Sequence, residues 1–211
     1  MRTALLGALL SLLAVAASPQ AAPRPPSLLR ARVSVPPWNV QSGGIAACEV
    51  ALDDKGAVQG ADIVQDVAPY GAQLRDDIVS SWSFEPARES GRGVPAHVLV
   101  LGFFRPPSLH VPAPDVPLYK KTKAPETVPW PTHVEAPPIP PNVTGSAQVI
   151  LEADVSEQGR AGSPRVLSQA SAFDQSALDT LRAWTFRPAS RGGRPVASRV
   201  FLVFSYIGVT P

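Results

Sequence analysis

Two hexapeptides, Trp82-Ser83-Phe84-Glu85-Pro86-Ala87 and Trp184-Thr185-Phe186-Arg187-Pro188-Ala189, lie 102 residues apart and agree at four of six positions. This internal repeat constrains the fold more than any other feature, because whatever the first copy builds the second builds again. Trp and Phe two apart present large rings as a helix unwinds, and the proline that follows cannot continue that helix. The hexapeptide is therefore expected to close a helix onto a sheet. Its repeated residues, Trp82, Phe84, Pro86, Trp184, Phe186 and Pro188, read as a structural signature rather than as chemistry.

The segments around each copy read alike. Ala46, Cys48, Val50 and Leu52 alternate with Ala47, Glu49 and Ala51, the period of a strand with one face buried. Asp53-Asp54-Lys55-Gly56 is a turn, and Val58 to Val64 a returning strand. Pro69 can open a helix whose Tyr70, Leu74, Ile78 and Trp82 share one face, with Pro86 as its stop. After a turn from Ser90 to Pro95, the run Val98 to Phe104 is apolar on both faces.

In the second copy Val149, Leu151, Ala153 and Val155 form the buried face of an opening strand. Glu157-Gln158-Gly159 makes its turn, and Arg165-Val166-Leu167 belongs to the return. Ser171-Ala172-Phe173-Asp174 fits a capping box for a helix with Phe173, Ala177, Leu181 and Trp184 on one face. Val200-Phe201-Leu202-Val203-Phe204-Ser205-Tyr206 is the last strand. The fold class is thus α+β: two tandem strand-strand-helix-strand units, each a three-stranded antiparallel sheet with one helix packed on it.

The remaining stretches set the boundaries. Met1-Arg2 followed by an apolar run from Ala4 to Ala17 is the right length for a secretory signal and short for a membrane span. The reading is a signal peptide at 1–17, a Pro/Ala-rich lead-in at 18–42, the first unit at 43–105, a proline-rich linker at 106–141 and the second unit at 142–207. Twelve of the 25 prolines fall between Arg105 and Pro141, a density that favours a stiff extended spacer. Trp38 reads as an aromatic tucked against the first unit's sheet, and Trp130 as packed on a domain surface, with a recognition aromatic as the alternative. The location that follows is outside the cytoplasm after export, with a retained membrane anchor as the alternative.

Chemistry is thin. With Lys+Arg 19 against Asp+Glu 17 and no basic stripe, nucleic acid is not an expected partner. Cys48 is the single cysteine and aligns with Leu151, which makes it a core residue. His97 opens a strand, His110 and His133 lie in the linker, and a metal site from His110, His133 and Asp115 would need that linker ordered. Asp53 and Asp54 belong to a turn. No cofactor, no small-molecule substrate and no enzymatic activity is expected.

If each sheet is purely antiparallel, strand one is central and strand three lies at an edge. An apolar edge without proline or lysine is avoided by soluble proteins unless it has a partner. The candidate partner-binding strand is therefore Val200–Tyr206, with Val98–Phe104 as its counterpart.

Residues 149–206 resemble the C-terminal domain of TonB-family proteins. The resemblance is carried by the Glu157-Gln158-Gly159 turn, Ser168 and Ser171, Phe173-Asp174 with Ala177-Leu178, then Trp184, Phe186, Pro188-Ala189 and the final aromatic-aliphatic strand. The stretch from Gly43 to Phe104 looks like a diverged second copy. What the resemblance implies is a periplasmic module that binds an outer-membrane transporter or another envelope protein by strand addition, with a link to TonB-dependent transport. The alternative is a scaffold whose two repeats pair with each other, within one chain or as a homodimer, without energy transduction.

Overall fold

The computed structural model describes residues 23–35, 43–105, 124–135, 137–138, 140, 146–168 and 172–206. In chain order the strands are β1 (Ser27–Arg30), β2 (Gly44–Leu52), β3 (Val58–Gln65), β4 (Ser83–Glu85), β5 (Ala87–Glu89), β6 (Arg92–Val94), β7 (Ala96–Arg105), β8 (Trp130–His133), β9 (Ala147–Val155), β10 (Ala161–Val166), β11 (Thr185–Arg187), β12 (Ala189–Arg191), β13 (Arg194–Val196) and β14 (Ser198–Tyr206). Helix α1 (Tyr70–Ser81) follows β3, and α2 (Asp174–Ala183) follows β10.

The principal sheet has six strands in the order β10-β9-β14-β7-β2-β3. Each half is antiparallel, with its opening strand in the middle. The halves join where β14 and β7 run side by side in parallel, from Val200 opposite Leu99 to Tyr206 opposite Arg105. Two three-stranded sheets thus become one mixed sheet, and neither third strand lies at its rim.

Parallel pairing of like strands turns the two halves over relative to each other, so the helices lie on opposite faces. Along β7, Leu99, Leu101 and Phe103 pack with Leu181 and Trp184 on the α2 face, while Val98, Val100 and Phe104 pack with Tyr70, Leu74 and Ile78 on the α1 face. This explains why both third strands are apolar at consecutive positions. The opening strands are covered on both faces too: Ala46 and Cys48 face α1, Ile45 and Ala47 the opposite layer. The expectation of one buried face is corrected accordingly.

Aromatic rings tie the halves together. Phe84 meets Phe201 edge-on at 5.3 Å on the α1 face. On the other face Phe103 lies 5.1 Å from Trp184 and 5.2 Å from Phe204. The cores of the two halves are therefore shared rather than adjoining.

Stretches read from sequence as lead-in and linker contribute strands. β1 pairs with β4, and β8 pairs with β11. Leu28 and Val33 enter the α1-side core, Val128 and Trp130 the α2-side core. The indole N–H of Trp82 donates to the Arg32 carbonyl (3.0 Å), and that of Trp184 donates to the Glu135 carbonyl (3.1 Å). Each signature tryptophan thus anchors an upstream strap, because a buried indole N–H needs an acceptor.

Local details differ from expectation in three places. Both helices end before the proline is reached, at Trp82 and Trp184, which turn the backbone to extended values. Pro69 stands at the N-cap of α1, not inside its first turn. The N-cap of α2 is Phe173 with no side-chain cap; Ser171, the other half of the expected capping box, is outside the described residues.

Turn chemistry fixes how each first hairpin meets its signature. Gly159 has φ +77°, and an added Cβ would lie 1.8 Å from the Phe186 carbonyl oxygen; Gly56 has φ +84° and the same relation to Phe84 at 2.2 Å. Only glycine combines that backbone conformation with so close an approach. The Phe186 N–H in turn donates to the Gly159 carbonyl at 2.8 Å.

Candidate partner-binding surface

The predicted docking strand Val200–Tyr206 is an interior strand, paired to β9 on one side and β7 on the other. Val200, Phe201, Leu202 and Val203 are fully buried, Phe204 is 1 % exposed and Ser205 is 3 % exposed. Val98–Phe104 is held likewise between β14 and β2. The flank of Val200–Tyr206 that would lie open at an edge is covered by β7. Pairing of the two third strands with each other, expected only as the alternative, is the arrangement observed.

Two edges remain, β3 and β10. They differ in regularity. β10 is broken between Gly162 and Arg165, where Ser163 takes φ 47° and Pro164 lacks an N–H, so no more than two consecutive residues keep register with β9. On β3, Gly60, Ala61, Asp62 and Ile63 pair without interruption to Ala51, Val50, Glu49 and Cys48. Irregularities at Gln59 and Val64 flank that run.

Charges beside the two edges also differ. In the second half, Glu152 stands across from Arg165, which reaches it at 2.5 Å; Arg199 lies 3.6 Å away, and the Leu28 N–H donates to the same carboxylate at 3.4 Å. Glu152 is only 5 % exposed, and these donors satisfy it. Arg199 further binds Asp154, the Pro26 carbonyl and the Ser27 hydroxyl, which fastens the first strap across the second half. In the first half, Glu49 stands across from Asp62 instead. Glu49 pairs with His97 Nδ1 at 2.9 Å and accepts from the Thr127 hydroxyl of the second strap. Asp62 is exposed and has no ion pair among the described residues.

The other sequence candidates fall apart as a site. His133 pairs with Glu135, whereas His110 and Asp115 lie outside the described residues. Burial pushes the Cys48 thiol up to about 12, as befits a core residue. Hydrogen bonds from the Ala57 and Lys55 N–H groups hold Asp53 below the ordinary aspartate value, which is the work of a turn. No cluster of three or more His, Cys, Asp or Glu side chains suited to a metal occurs among the described residues. No helix among them is long and apolar enough to cross a membrane.

Residues 145–207 match the family model for the Gram-negative bacterial TonB protein C-terminal. This part of the chain is thus similar to the TonB C-terminal domain, and the match supports a protein-interaction module in envelope transport. No curated protein matches the chain.

Proposed function

We propose that the chain is a periplasmic protein-binding module in which a TonB C-terminal domain and a diverged copy of it, 43–105, are locked through their third strands, and that it engages an envelope protein without transmitting force. The carrying observation is that β14 is paired along both sides. Strand addition there would require the central seam of the sheet to open, with loss of a buried aromatic layer.

The place of the proline-rich stretch supports the same reading. It lies between the two units, and its Ala124–Glu135 part is laid on the fold: Ser190 N–H donates to the Glu126 carbonyl, and Trp130 is buried. Between the apolar run ending at Ala17 and Arg24, which already bridges to Arg88, only six residues intervene. Fully extended they reach about 20 Å. A chain held by that run would keep its folded part beside the membrane, without the reach that force transmission to a distant partner requires.

The test is photo-crosslinking in cells from exposed positions such as Gln59 and Arg194, with and without a protonophore. Adducts with an envelope protein that survive loss of the proton gradient are expected. Adducts that vanish with the gradient would restore energy transduction, and none at any exposed position would remove the binding function.

A further inference from the structure

Pseudo-symmetry supplies a comparison within the molecule, since each feature of the first half has a counterpart that shows what a closed version of it looks like. Helix α1 turns its Gln73, Asp77 and Ser81 side to the first strap, through Asp77 to Ser34 at 2.6 and 2.8 Å, Gln73 to the Ser34 carbonyl at 2.7 Å and Ser81 to the Arg32 carbonyl at 3.2 Å. That strap runs toward the second half, where Gln148 also binds the Ser34 carbonyl. With Leu74 and Ile78 pointing into the sheet, helical geometry places Arg75 and Val79 on the side of α1 away from the strap.

Val79 is 58 % exposed, one of four exposed large apolar side chains among the described residues. Aligning the buried Ile78 with the buried Leu181 makes its counterpart Arg182, which is closed by an ion pair to Asp179. Along β3, Ala61 and Ile63 lean into the α1-side core, so Asp62 projects from the other face beside Glu49. Like charges directly opposite in a sheet destabilise it. The counterpart of Asp62 is Arg165, which neutralises Glu152 at 2.5 Å. At the broken rim the valine position is charged and the rim strand brings a cation; at the continuous rim the valine is exposed, and the rim strand brings a second carboxylate, Asp62, beside a Glu49 that His97 and Thr127 already hold.

We infer that the open edge of β3 over Gly60–Ile63 is a docking site for an extended segment of a protein partner that alternates apolar and basic residues. The segment adds as a seventh strand. Its apolar side chains cover Ala61, Ile63 and Val79, and its Lys or Arg lies across from Asp62, in the role that Arg165 fills for Glu152. This edge is the second strand of the first copy, not the third strand that the family resemblance implies. The inference rests on the protein-binding reading above.

A capped hexapeptide alternating valine and lysine is the probe, with one alternating valine and glutamate as control, titrated against the full chain. The lysine peptide is expected to bind saturably and to slow amide exchange at Gly60–Ile63. Asp62→Arg is expected to weaken it at least about tenfold while leaving the urea midpoint equal or higher, since the new cation can close on Glu49. Val79→Arg weakens it as well. No binding, equal binding of the glutamate peptide, undiminished binding by Asp62→Arg, or protection at Ala161–Val166 would overturn the inference. Crosslinks to an envelope protein from other surfaces with none from Gln59 would overturn it while leaving the protein-binding function standing.

Discussion

Phe84 and Phe201 belong to different halves of the chain, yet their rings meet at 5.3 Å with an interplanar angle of 67°, and both are buried. A double-mutant cycle across this pair asks whether the halves share a core. Truncation to alanine would cost about 3–5 kcal/mol at either site, comparable to the whole stability of a small domain. Leucine is the better probe, costing about 1–2 kcal/mol by removing the ring while keeping most of the volume. An edge-to-face pair contributes about 0.5–1.5 kcal/mol beyond its buried area. The double variant Phe84→Leu/Phe201→Leu should therefore lose less than the sum of the single losses by about that amount. Urea unfolding followed by tryptophan fluorescence and far-ultraviolet circular dichroism provides the assay, with a single coincident transition expected for every variant. Additive losses, or two transitions of which each substitution moves only one, would refute a shared core.

Other expectations follow from the same contacts. Leu202→Pro removes a ladder donor from a strand paired on both sides and buried between Leu151 and Leu101, so the chain should fail to fold, read as loss of the cooperative transition. Gly159→Ala should cost more than about 2 kcal/mol in urea unfolding, because φ +77° and the Phe186 carbonyl oppose the methyl together. Cys48 should resist a thiol reagent at pH 8 in the native state and react at the rate of global opening; with its thiol raised to about 12, the contribution to stability is present below the unfolded value of 9.0 and falls as pH rises above it. Asp53, lowered by its turn hydrogen bonds, contributes above the ordinary value of 3.8 and loses that contribution as pH falls through its folded value, so faster amide exchange at Lys55 and Ala57 is expected only in acid.

The parts of the fold that were legible in the sequence are those set by local periodicity and by the repeated signature. Tyr70, Leu74 and Ile78 are buried along α1, and Ala177 and Leu181 along α2, as their spacing requires. The strand order inside each half followed from chain direction once each half was taken as purely antiparallel. What was not legible depended on long-range choice. An apolar edge announces that something must cover it, but Val200–Tyr206 and Val98–Phe104 carry no mark that each covers the other. The straps were hidden for a different reason: Ser27–Arg30 and Trp130–His133 are too short and too rich in neighbouring prolines for period-two reading, and their burial comes from the indoles and the sheet they cross. The contrast between Asp62 and Arg165 was present in the sequence, yet it acquires meaning only when the register sets each beside its glutamate.

The central claim is the parallel seam between β14 and β7, and native-state amide exchange along Val200–Ser205 tests it most directly. In an antiparallel edge strand, every second amide points away from its single neighbour and exchanges freely. Paired on both sides, all of these amides should be protected to the level of global unfolding, about 5–15 kcal/mol for a domain of ordinary stability. Alternating protection, with every second amide from Val200 to Ser205 exchanging as if exposed, would contradict the account.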